Sequence, residues 1–78
     1  MNRGILVTGG GHGIGKQICL DFIEAGDKVC FIDFDENNSR DFIIDKPNLY
    51  YLYGDVANPD KLSEFVQFGL EKLQRMEE

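Results

Sequence analysis

The chain is 78 residues long, 42% hydrophobic and 28% charged, with a net charge of −6. That length allows one small domain, which buries only roughly 60% of the surface its unfolded chain exposes. The acidic balance excludes a general binder of nucleic acid or of anionic membrane, and no apolar run approaches the ~20 residues that cross a bilayer.

The first ten residues, MNRGILVTGG, carry a short apolar stretch that runs straight into glycines. This is not a signal-peptide pattern, so a cytoplasmic location is expected. GILVT at 4–8 predicts a buried strand. Over 13–25, Ile14, Ile18, Phe22 and Ala25 recur at helical spacing, with Lys16, Gln17, Asp21 and Glu24 elsewhere and Gly26 as a natural stop. KVCFID at 28–33 is a nearly continuous apolar run and fits a strand buried on both faces. Cys19 and Cys30 fall inside these patterns. With no CxxC and one histidine in the chain, they read as buried, reduced thiols and not as a disulfide or metal pair.

Asp35 is placed to cap a helix running to about Asp45, with Phe42, Ile43 and Ile44 as its apolar part. Pro47-Asn48 breaks the chain. LYYLYG at 49–54 is the third strand, where Tyr50, Tyr51 and Tyr53 read as packing residues. Asn58-Pro59 reads as an N-cap followed by the first helical residue. Beyond it Leu62, Phe65, Val66, Gly69, Leu70, Leu73 and Met76 trace one stripe of a long amphipathic helix. The final RMEE is polar and expected to fray. The order is βαβαβα, an α/β pattern. Helical crossovers imply a parallel sheet of spatial order 3-2-1, three-layered with its helices. That is one mononucleotide-binding half of a doubly wound, Rossmann-type fold, here a single domain over 1–78.

The stretch TGGGHGIGK, residues 8–16, is a glycine-rich loop of the kind that holds phosphate. One reading is the mononucleotide loop GxxxxGK followed by Ser or Thr. Gly10, Gly15 and Lys16 match its spacing, but Gln17 stands where the magnesium-binding hydroxyl belongs. The other reading is a dinucleotide loop. A strict GxGxxG fails, because Gly9 and Gly11 are spaced correctly but Ile14 occupies the third glycine place. Thr8, Gly9, Gly13 and Gly15 instead form TGxxxGxG. Glycines there let the backbone turn with φ > 0 and approach a pyrophosphate, and a helix starting near Gly13 aims free amides at that charge. Asp33 ends the second strand where a dinucleotide fold places an acid on the adenosine ribose.

TGxxxGxG, Asp33 and the GDV at 54–56 together resemble the N-terminal, cofactor-binding half of the short-chain dehydrogenase/reductase family. The resemblance covers nearly the whole chain. It implies an NAD(H)-binding module of an oxidoreductase, with Thr8, Gly9, Gly11, Gly13, Ile14 and Gly15 around the phosphates and His12 as a loop residue near the ribose. It also implies Asp33 and Phe34 at the ribose, and Asp55 and Val56 at adenine. NAD is expected over NADP. Asp33 repels a 2′-phosphate, since two unit charges ~4 Å apart interact by ~4 kcal/mol at an effective dielectric of 20. Phe34 stands where an Arg often neutralises that phosphate, and Asp35 adds negative charge; His12, where NADP-preferring relatives often carry a base, weakens the argument slightly.

The family continues with a fourth strand, a catalytic serine and a YxxxK motif. None occurs here: Tyr50, Tyr51 and Tyr53 lead four places on to Gly54, Asp55 and Ala57. No catalytic residue is assigned, and the chain is expected to be inactive alone, as a truncated fragment. In the full fold the first strand is paired on both sides. An orphaned edge is a template for another chain, so a homodimer through that edge or the last helix is expected. The rival reading is a folding or assembly fragment, natural or engineered, that self-associates and binds no ligand.

Overall fold

The computed structural model describes residues 3–11 and 13–74. Its elements run β1 (Gly4–Thr8), α1 (Gly13–Glu24), β2 (Lys28–Asp33), α2 (Glu36–Ile43), β3 (Leu49–Tyr53) and α3 (Pro59–Gln74). The sheet is parallel with order β1-β2-β3, which is the expected 3-2-1 read from its other edge. Gly4 to Thr8 pair with Lys28 to Ile32, and Val29 to Asp33 pair with Leu49 to Tyr53.

Successive residues of a strand face opposite sides, and β2 divides the core accordingly. Val29 and Phe31 join Cys19, Phe42 and Leu49 beneath α1 and α2. Cys30 and Ile32 join Phe65 of α3 on the other face. Helices thus cover both faces of β2, which explains why its sequence does not alternate. The Phe31 ring lies 5.7 Å from Phe42 and 5.1 Å from Tyr51. Both cysteines are free and buried, and burial pushes Cys19 up to about 11 and Cys30 up to about 12.

Two helix faces depart from the sequence reading. In α1 the residues turned to the core are Cys19, Leu20, Phe22 and Ile23, while Ile14 is 82% and Ile18 39% exposed. In α3, Phe65, Phe68 and Leu73 pack on the sheet, whereas Leu62, Val66 and Leu70 stay exposed. The single expected stripe is therefore two ridges, one of them uncovered. Met76 and the rest of RMEE lie outside the described residues.

The caps follow the sequence. Asp35 accepts a hydrogen bond from the Asn38 amide at 3.1 Å, and Asn58 accepts one from the Asp60 amide at 2.9 Å. α2 stops at Ile43, two residues short of the expected Asp45. Lys46 precedes Pro47 and is disfavoured in a helix, and its ammonium instead donates to the Phe42 carbonyl at 3.0 Å. At the opposite end of the sheet, Arg3 grips the buried Asp27. The backbone amide donates to Oδ1 at 2.9 Å and the guanidinium to Oδ2 at 2.9 Å. This pair joins the entry of β1 to the α1–β2 turn.

Candidate nucleotide site

In a parallel sheet with helical crossovers, the C-terminal strand ends and the loops after them form the ligand-facing rim. Here that rim holds the β1–α1 loop, Asp33 with Phe34, and the segment after β3. An open cleft of about 230 Å³ is lined by Gly9, Ile32, Asp33, Phe34, Gly54, Asp55 and Val56. Pockets that enclose a drug-sized ligand span ~300–1,000 Å³, so this cleft suits one end of a dinucleotide and not the whole.

Five expected site residues, Gly9, Asp33, Phe34, Asp55 and Val56, meet in that cleft. Thr8 is the exposed last residue of β1, directly before Gly9. Gly11 is buried against Asp33. Gly13, Ile14 and Gly15 form the first turn of α1. His12 lies outside the described residues.

Gly9 and Gly13 have φ of +68° and +42°, and a Cβ at either would meet nothing within 4 Å. Positive φ is costly for other residues, so the glycines here serve conformation on an open side of the loop. Gly15 and Gly11 serve close approach. A Cβ at Gly15 would run into the Gly9 carbonyl, and one at Gly11 would lie 2.5 Å from the Ser39 hydroxyl oxygen. The first turn of α1 carries no acidic residue, so no side chain there offsets the positive end of the helix dipole, which favours an anion.

Asp33 is 5% exposed. Its Oδ2 accepts from the Gly11 amide at 3.0 Å and its Oδ1 from the Asp35 amide at 2.9 Å. Its backbone carbonyl accepts from the Tyr51 hydroxyl at 3.0 Å and from the Gly54 amide at 3.2 Å. The acid on the rim is thus oriented by the glycine loop, α2 and β3 together. Asp55 is exposed, and its Oδ1 accepts from the Ala57 amide at 2.9 Å. Phe34 is 67% exposed, an aromatic face at the mouth of the cleft.

The mononucleotide reading loses its side chains. Lys16 points away from the loop, its ammonium 5.0 Å from the centre of the Phe42 ring. Gln17 donates to Asp21 along the helix at 3.0 Å. The sequence reading missed Tyr51 as a donor to Asp33, and missed Ile32 and Gly54 in the cleft. It also missed Asn38, whose amide donates to the Gly11 carbonyl at 2.6 Å. The alternation of tyrosines in β3 shows which ones face α2, but not which backbone group a hydroxyl reaches.

The family model described as short chain dehydrogenase matches residues 3–77. L-fucose dehydrogenase from Bos taurus is 32% identical over 73 residues, covering 94% of this chain and 27% of the relative. An apo SCOR enzyme from Clostridium thermocellum superposes with a TM-score of 0.92 at 69% identity, over 95% of this chain and 30% of that one. The Bordetella bronchiseptica enzyme WbmH, solved in complex with NAD+, superposes with a TM-score of 0.71 at 28% identity. That match covers 95% of this chain and 23% of WbmH. The chain spans about a quarter of the length of the curated relatives it matches.

Proposed function

Because the chain belongs to the short chain dehydrogenase family, we propose that it is an NAD(H)-binding module that holds the ADP portion of the cofactor. The observation that carries the reading is the cleft at the strand ends, which gathers the glycine loop, Asp33, Asp55 and Val56. NAD bound in WbmH supports it by similarity. Thr8, Gly9, Gly11, Gly13, Ile14 and Gly15 are assigned to the phosphates, Asp33 to the ribose hydroxyls with Phe34 and the His12 position beside it, and Asp55 with the Val56 amide to adenine. The open, positive-φ glycines and the acid-free start of α1 fit a diphosphate. The buried, oriented carboxylate fits a ribose diol and opposes a 2′-phosphate, so NAD is preferred over NADP. Bound NAD supplies hydride transfer in the family. In this chain, residues 1–78 act as one cofactor-binding domain without catalytic groups.

Among the described residues the cleft has room for one end of the cofactor, and the expected affinity of the 78-residue chain is about 0.1–1 mM, near −4 to −5.5 kcal/mol. The proposal extends to a homodimer through the β1 edge or α3 and to a cytoplasmic location. The exposed Leu6, Leu62, Val66 and Leu70 favour this association. Among the described residues no helix is long and apolar enough to cross a membrane. The test is NADH fluorescence on titration with the chain. Saturable enhancement that is lost in Asp33→Ala and in Asp55→Ala supports the assignment. Binding indifferent to both substitutions refutes it.

A further inference from the structure

We propose that Asn38 is a positioning residue of the nucleotide site, holding the glycine loop in one course through the peptide of Gly11. The inference rests on the nucleotide reading above. Four hydrogen bonds close a ring through three segments. The Gly11 amide donates to Asp33 Oδ2 at 3.0 Å, and the Asp35 amide to Asp33 Oδ1 at 2.9 Å. The Asn38 amide donates to Asp35 Oδ1 at 3.1 Å, and Asn38 Nδ2 to the Gly11 carbonyl at 2.6 Å. The ring joins the acid assigned to the ribose with the loop assigned to the phosphates.

The loop needs such a hold. Glycine has more backbone freedom to lose than any other residue, and freezing a loop on binding subtracts from affinity. A Cβ at Gly9 or Gly13 would face open space, and Gly9 is tied to the sheet by its amide, which donates to the Ile32 carbonyl at 2.8 Å. Gly11 lies between them and is fixed on three sides: Asp33 takes its N–H, Asn38 its carbonyl, and Ser39 fills the space where a Cβ would be. Asn38 suits the task because it donates twice, its backbone N–H to the capping Asp35 carboxylate and its side-chain N–H to the Gly11 carbonyl. Aspartate has the same shape but no such donor.

The test compares ADP with adenosine by protein-observed NMR titration of the 78-residue chain. Adenosine probes the cleft at Asp33, Asp55 and Val56, and ADP adds the phosphates that the loop must hold. Asn38→Ala removes the donor without adding charge, and Asn38→Asp removes it at constant shape. Asn37→Asp, one residue away on the exposed side of α2, controls for charge. The expected result is a loss of ADP affinity of about three- to tenfold in both Asn38 variants. Adenosine changes by less than about twofold, and the control matches the parent chain for both ligands. Unchanged ADP affinity overturns the inference. So does an equal loss of both ligands that tracks a fall in the thermal midpoint, since that marks a structural role only. If the parent chain binds neither ligand, the nucleotide reading fails first and takes this inference with it.

Discussion

In the proposed reading, cofactor choice turns on Asp33. Its carboxylate is buried, and two backbone amides fix its direction. A cofactor bearing a 2′-phosphate would bring like charge against it at the cost set out above. The parent chain is therefore predicted to bind NADH at least about tenfold more tightly than NADPH. Asp33→Ala should narrow that ratio by weakening NADH more than NADPH, and parallel fluorescence titrations measure it. An unchanged ratio would remove Asp33 from the account of specificity. The acid was legible in the sequence because a carboxylate ending an apolar run after a glycine loop is a positional signal. Its partners were not, because Tyr51 and Asn38 reach it across 18 residues of chain and through the Gly11 loop. Local periodicity carries no such information.

At the scale of elements, glycine and proline punctuation made the boundaries legible. The turn of each helix about its own axis was less so. Ile14 and Ile18 are among the most apolar residues of α1, yet they point outward. Gly15 must lie against the Gly9 carbonyl, and once it faces the loop, Cys19, Phe22 and Ile23 follow it inward at i+4, i+7 and i+8. In α3 the same effect divides the apolar residues into two ridges. Phe65→Ala is predicted to cost about 3–5 kcal/mol, enough to unfold much of so small a domain, whereas Leu70→Ala on the exposed ridge stays within about 0.5 kcal/mol. Urea unfolding of the two variants distinguishes them.

The far end of the sheet carries the acid sensitivity. The Arg3 guanidinium, hydrogen-bonded to Asp27, holds that carboxyl below the usual carboxylate range, against the opposing effect of burial. A folded-state value below the unfolded ~3.9 means that the native chain binds fewer protons. This contribution is fully present above about pH 4 and is lost as pH falls through the lower folded value. Asp27→Asn should flatten the acid limb of thermal midpoint against pH while lowering stability at pH 7.

At the scale of the whole molecule, β2 is sealed on both faces and both edges, but β1 pairs only with β2 among the described residues. Its Leu6 lies over Gly69 of α3 and remains 41% exposed, near an α3 ridge that is also uncovered. Apolar groups beside an open strand edge favour pairing with another chain. Sedimentation velocity over a hundredfold range of concentration should show a monomer–dimer shift, and Leu6→Lys with Leu70→Lys should move the chain toward monomer. A monomer at every concentration would contradict the association. The fold class was legible throughout, because alternation of apolar runs with helical periods leaves little but a parallel sheet. Which exposed surface meets a second chain was not, because that depends on helix rotation.

The central claim is that the strand-end cleft and glycine loop hold a dinucleotide. Its most direct test is calorimetric titration of the 78-residue chain with NADH, beside ATP with magnesium. The account predicts saturable heat for NADH in the 0.1–1 mM range, with ATP–magnesium no tighter. No heat from NADH at millimolar concentration, or tighter binding of ATP that depends on magnesium, would contradict it.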